Sequence, residues 1–225
     1  MADATNKLYL IFDMDGTLID SNPTHKRAYT EFFARYNITL TDEGFKDHIS
    51  GRMNPDIMTY FFGEKGEKLS DDRIDELTKE KETLYQQLYA PSIEPVKGLT
   101  EFLMAVRDAD IPMALATSAP MMNVDFVFDK LGIRQFFQQV ITDADVKSGK
   151  PDPSVFQVAA DRLGAEPARC LVFEDSAKGV EAAQKARMKV VALTTSHEPE
   201  ATEKADKVID NYMQIKVDQL IGLLG

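Results

Sequence analysis

Cysteine is nearly missing from this chain: Cys170 is the only one among 225 residues, so no intrachain disulfide can form. Its setting in the apolar run Cys170, Leu171, Val172 and Phe173 makes it a small buried hydrophobe rather than a reactive thiol. Long apolar runs are missing too. No stretch approaches the roughly 18 apolar residues of a membrane span, and the polar segment Met1 to Lys7 has no apolar signal core. A soluble, cytoplasmic protein without a membrane partner is the expectation. Positive charge is in deficit, with 26 Lys and Arg against 37 Asp and Glu and a net charge of −11. No cluster of Lys and Arg stands against that balance, so a nucleic-acid groove is electrostatically disfavoured. A phosphate ligand is not, because a metal and one or two local cations reverse the potential inside a pocket. Internal repeats and low-complexity tracts are also absent. What is present is the composition of a folded chain, 44% hydrophobic and 28% charged. Its length suits one large domain, or a core domain with a small accessory one.

Short β-like runs recur at Leu8–Phe12, Pro112–Ala116, Gln139–Thr142, Cys170–Glu174, Lys189–Leu193 and Lys207–Ile209. Several are apolar throughout, which predicts strands buried on both faces. Between them lie helical patterns: Phe102, Leu103 and Val106; Val124, Val127, Phe128 and Leu131; Val155, Phe156, Ala159 and Leu163; Val180 and Ala183. From about residue 96 strand and helix alternate, which predicts a doubly wound, Rossmann-like α/β core around a parallel sheet. The first strand is different. About a hundred residues separate Phe12 from the next strand-like run, and they read as helix, with Ala28, Tyr29, Phe32, Phe33 and Tyr36 on one stripe. Ser70 is placed to cap a second helix carrying Ile74, Leu77, Leu84 and Leu88. The expected organisation is a core from residues 1–20 and 95–225 with an inserted all-helical cap at 21–94, hinged near Asp20 to Pro23 and Pro91 to Gly98. A last helix is expected from Lys216 to Leu224.

Polar residues gather where the strands end. Asp13, Met14, Asp15, Gly16 and Thr17 follow the first strand, and Gly16 permits a sharp turn whose main-chain N–H groups can face an anion. Aspartates after strands also cap turns, so this motif alone decides nothing. Thr117 and Ser118 follow the second run, Lys150 and Pro151 the third, and Glu174 with Asp175 the fourth. In a parallel sheet these ends share one rim, so four distant segments converge on one pocket.

The stretches FDMDGTLIDSNPTH at 12–25, ALATSAP at 114–120, GKPDP at 149–153 and FEDSAKGVEAA at 173–183 resemble the haloacid dehalogenase superfamily. The resemblance is to its branch of phosphatases and phosphomutases related to β-phosphoglucomutase, and it covers nearly the whole chain. It implies a Mg²⁺-dependent hydrolase of a small phosphorylated metabolite, a monomer or weak homodimer, working through an aspartyl-phosphate. Asp13 is then the nucleophile and Asp15 the general acid and base. Thr117, Ser118 and Lys150 hold the phosphate. Asp13, Asp175 and the backbone carbonyl of Asp15 bind the metal, with Glu174 in or near its shell. Such a mechanism requires Asp15 to keep a pKa above that of its metal-bound neighbour Asp13, so that it starts protonated.

The same resemblance makes the cap the source of substrate contacts. His25 matches a mutase histidine that positions the acid and the accepting hydroxyl, and Arg52, beside Gly51, is placed to clamp an anionic group of the substrate. Where β-phosphoglucomutase has an arginine three residues after the cap-loop glycine, this chain has Asn54. Hydrolysis of a sugar phosphate is therefore expected ahead of a mutase reaction. A receiver-like signalling module is the reading from another class; it needs a long-lived acyl phosphate, and Asp15 and the cap speak against it. Arg187 stands in a turn where relatives carry glycine.

Overall fold

The apolar runs become six strands in a computed structural model that describes residues 7–224. They are β1 (Tyr9–Phe12), β2 (Met113–Ala116), β3 (Gln139–Ile141), β4 (Cys170–Glu174), β5 (Lys189–Leu193) and β6 (Lys207–Ile209). All pairs are parallel, in the order β3-β2-β1-β4-β5-β6. Strand side chains alternate between faces. Leu10, Phe12, Leu171 and Phe173 join one core cluster with α5 (Leu99–Asp108) and α6 (Met121–Leu131). Ile11, Cys170 and Val172 join another with α7 (Ser154–Leu163) and α8 (Ala177–Lys185). Both faces are covered, which is why the runs are continuously apolar.

Between β1 and β2 the chain forms four helices before α5: α1 (Asn22–Arg35), α2 (Asp42–His48), α3 (Asn54–Gly63) and α4 (Asp71–Tyr89). Phe32, Phe33, Ile57, Met58, Phe62 and Leu77 give this insertion an apolar cluster of its own. Ser70 caps α4 as expected, its hydroxyl accepting from the Arg73 N–H. The fold is thus an α/β core with a helical insertion.

The far C-terminus differs from expectation. After α9 (Pro199–Lys204), helix α10 covers only Val217–Leu220 and gives way to a 3₁₀ turn at Ile221–Leu223, where Gly222 weakens helical continuation. Gly225 and the first six residues lie outside the described residues, so the outermost ends of the expected core segments do too. Arg187 adopts φ 62°, a left-handed conformation that disfavours a non-glycine residue by about 1 kcal/mol. No helix among the described residues is long and apolar enough to cross a membrane.

Candidate active site

Strand order reverses beside β1: β2 and β3 extend to one side, β4 to β6 to the other. Loops leaving β1 and β4 therefore part and open a crevice at their carboxyl ends. Asp13 is the first residue beyond β1, anchored by its N–H to the Phe173 carbonyl at 3.0 Å. Glu174 ends β4 and Asp175 follows. Thr117 follows β2, and Lys150 lies in the loop between β3 and α7. All of them, with Asp15, line one cavity of about 80 Å³.

Asp13, Glu174 and Asp175 are buried, and each offers an oxygen within 4.8 Å of the others. One cation sits among them: Lys150 Nζ donates to Asp13 Oδ1 at 2.6 Å and to Glu174 Oε1 at 2.5 Å. Glu174 Oε2 accepts from the N–H groups of Asp175 and Ser176 at 2.6 and 2.7 Å, so the start of α8 fixes it. A lone ammonium cannot balance three buried carboxylates. Burial, reinforced by Glu174, pushes Asp13 up to about 7 against the attraction of Lys150. Burial, with Glu174 and Asp13, drives Asp175 well above the carboxylate range. For Lys150 burial opposes the charge, but Asp13 and Glu174 outweigh it and raise its pKa. The chemistry of this donor set fits a hard divalent cation, which takes oxygen ligands. Gly16, at φ +75°, leaves room for the Asp175 carboxylate: a Cβ there would lie 1.9 Å from Asp175 Oδ2.

Asp15 is turned the other way, toward the insertion. Its Oδ1 accepts from Ser21 Oγ at 2.6 Å and meets His25 Nε2 at 3.1 Å. Ser21 stands at the N-cap of α1 yet makes no side-chain cap; its hydroxyl serves Asp15. Lys81 Nζ lies 3.0 Å from His25 Nδ1. An ammonium has only hydrogens to give, so Nδ1 accepts, and Nε2 carries the hydrogen that faces Asp15. Tyr85 stacks on the imidazole at 3.8 Å between centroids, 8° from parallel. Burial raises the Asp15 pKa, but His25, Ser21 and Lys81 together overcome it and the net shift is downward. The expected order, with Asp15 above Asp13, concerns Asp13 with a metal bound; without one, Asp13 is raised and Asp15 lowered. Donors from the insertion surround Asp15, whereas carboxylates crowd Asp13.

The profile described as haloacid dehalogenase-like hydrolase matches residues 10–193. The chain belongs to that family. Within it, the chain is 30% identical to the validoxylamine A 7'-phosphate phosphatase of Streptomyces hygroscopicus subsp. limoneus, over 92% of this chain and 94% of that one. It is 31% identical to the fructose-1-phosphate phosphatase of Escherichia coli, over 81% and 94% of the two. In fold it is similar to a β-phosphoglucomutase from Clostridium difficile, with a TM-score of 0.85, 24% identity and 97% of each chain covered.

Other expected site residues of this family member lie in the same cavity with different surroundings. Thr117 is buried and its Oγ1 accepts from the Ala119 N–H at 3.1 Å. Ser118 donates to the Gly51 carbonyl at 3.3 Å, a bond from core to insertion. Arg52 is exposed at the cavity wall. Asn54 is buried: its Oδ1 accepts from the Tyr29 hydroxyl at 2.6 Å, and its Nδ2 donates to Glu82 Oε1 at 2.8 Å. Sequence reasoning missed Ser21, Asn22, Lys81, Glu82, Tyr85 and Asn123; Asn22 Nδ2 donates to Asp175 Oδ2 at 2.9 Å.

It missed Gly179 as well. A Cβ on this glycine would lie 1.8 Å from Glu174 Oε1. Gly179→Ala is expected to push the carboxylate from its place between Lys150 and the start of α8. Overpacking and a displaced buried charge together predict a loss of about 2 kcal/mol or more, measurable by urea unfolding. Unchanged stability would mean that Glu174 has somewhere else to go.

Proposed function

We propose that this chain, a phosphatase of the haloacid dehalogenase-like family, removes phosphate from a small phosphorylated sugar or polyol, with Asp13 as nucleophile and Asp15 as acid and base. The observation that carries the reading is that Asp13, Thr117, Lys150 and Asp175, remote in the chain, border one small cavity opposite Asp15. Two relatives at 30% and 31% identity are named as phosphatases of phosphorylated carbohydrates or their analogues, which supports the substrate class.

In this reading residues 1–20 and 95–225 form the catalytic core, and 21–94 a cap that supplies His25, Arg52 and Asn54 and keeps water out. The acid-rich loop ends suit Mg²⁺ at Asp13, Asp175 and the Asp15 carbonyl, with Glu174 beside it; bound there, it would neutralise the charge between carboxylate and phosphate. Lys150 adds a point charge to the phosphate. The Thr117 hydroxyl and the amides of Met14, Asp15 and Ser118 donate to its equatorial oxygens. The Asp13 oxygen attacks phosphorus, the ester oxygen leaves, and Asp15 gives it a proton. The dianionic phosphate beside Asp15 favours its protonated form, countering the donors that hold it ionised in the free enzyme. In the second step Asp15 takes a proton from the water that attacks the aspartyl-phosphate.

A mutase would have to hold the phosphate that is not being transferred, and the amide Asn54 stands where a cation would serve. A receiver-like module needs a stable acyl phosphate, and the acid–histidine pair beside Asp13 works against that.

A metal-dependent screen of phosphorylated metabolites tests the reading. Removing divalent cations with a chelator is expected to lower turnover by more than about 10³-fold, and Mg²⁺ to restore it. Acid quenching during turnover should recover phosphate on Asp13. Full activity in the chelator, or phosphate on another residue, would overturn it.

A further inference from the structure

Opposite the phosphate end, the cavity is lined by Tyr29, Asn54, Lys81, Glu82 and Asn123. Glu82 is buried and every oxygen is engaged: Lys81 meets both at 3.0 and 3.1 Å, Asn54 Nδ2 donates to Oε1, and Asn123 Nδ2 to Oε2, each at 2.8 Å. The two amides are fixed from behind as well. Tyr29 donates to the Asn54 carbonyl oxygen, and Gln86 Nε2 donates to that of Asn123 at 3.0 Å. Neither amide can flip without placing two donors face to face. Each amide nitrogen carries two hydrogens; Glu82 takes one, and no acceptor among the described residues takes the other.

The wall therefore offers oriented donors with no net charge, since Lys81 and Glu82 cancel. A hydroxyl or carbonyl oxygen satisfies such donors. A second phosphate set against these residues would have to shed its water beside a carboxylate whose ammonium partner is already engaged. The remaining cation of the insertion on this cavity, Arg52, is exposed rather than part of this buried group, and burial of an uncompensated anion is strongly unfavourable. We propose that Asn54, Asn123 and Glu82 form the subsite for the leaving group, selecting a neutral polyhydroxylated moiety and rejecting one that carries a second phosphate. This rests on the phosphatase reading above and adds to it the residues that select the leaving group and the exclusion of bisphosphates.

The test compares kcat/KM for fructose 1-phosphate with fructose 1,6-bisphosphate, for ribulose 5-phosphate with ribulose 1,5-bisphosphate, and for either monophosphate with n-hexyl phosphate. The better sugar monophosphate is expected to exceed its bisphosphate, and hexyl phosphate, by about 100-fold or more, because buried donors are left unpaired or an anion uncompensated. Glu82→Gln leaves the Lys81 charge unopposed and should narrow the monophosphate-to-bisphosphate ratio about tenfold. Taking the ratio within one protein cancels any change in the chemical step. Equal use of mono- and bisphosphate, or of hexyl phosphate, by the wild type overturns the inference even if the variant does not fold, and so does an unaltered ratio in a folded variant. Failure to hydrolyse any ester, p-nitrophenyl phosphate included, would instead sink the phosphatase reading itself.

Discussion

Asp13→Asn is expected to lower turnover by more than about 10⁴-fold, the scale on which enzymes lose activity with their nucleophile, and to leave the fold intact. An amide keeps the shape and can still accept from Lys150, but it cannot form the acyl phosphate. Stability gives the same substitution an independent readout. Burial raises the Asp13 pKa from the ordinary 3.8 to about 7 in the metal-free protein. The folded state then holds a proton that the unfolded state has already released, so ionised Asp13 burdens the fold. That burden grows as pH rises from about 4 to 7 and is constant above. Asparagine removes it. Metal-free Asp13→Asn should therefore melt at or above the wild type at pH 8, by on the order of a few kcal/mol in stability, and the difference should vanish near pH 4. Retained phosphatase activity would refute the assignment of Asp13. A variant melting well below wild type at pH 8 would refute the account of its burial.

The core half of this site was legible because its signals are local. Strands buried on both faces read as unbroken apolar runs, and an acid or hydroxyl directly after one, as at Asp13, Thr117 or Asp175, marks the rim of a parallel sheet. The half supplied by the insertion depends on which helix face meets which. The stripe expected on α4, Ile74, Leu77, Leu84 and Leu88, passes through position 81 at helical spacing, and Lys81 there breaks it. That was the available signal. Adjacent Lys81 and Glu82 nevertheless resemble a solvated pair, and only the packing of α4 against α1, α3 and α6 makes them buried. Asn123 lies one residue before the apolar pattern of α6 and carries no periodic mark; its role arises from Glu82 across the gap. Gly179 was legible only as a residue in a motif, since what it accommodates is the Glu174 side chain. The downward shift of Asp15 in the metal-free protein was not legible for the same reason: His25, Ser21 and Lys81, which overcome its burial, come from the insertion.

Asp15→Asn is expected to separate the two half-reactions. Asparagine cannot protonate a sugar alkoxide, so kcat for a sugar phosphate should fall by about 10³-fold, within the usual range for a lost general acid or base. p-Nitrophenolate leaves without a proton, so Asp13 should still attack p-nitrophenyl phosphate at nearly the wild-type rate. The second step has no such escape, because asparagine cannot accept a proton from the attacking water. Phosphate should then remain on Asp13, giving a burst of about one equivalent of p-nitrophenolate per active site and a slow steady state. Stopped-flow absorbance reads the burst, and radioactive phosphate retained after acid quenching reads the adduct. Wild-type Asp15 is held by Ser21 and His25, and an amide oxygen in the same place accepts the same two bonds, so the neighbours stay put. A variant equally slow on both substrates, with no burst, would mean that Asp15 organises the site without moving a proton.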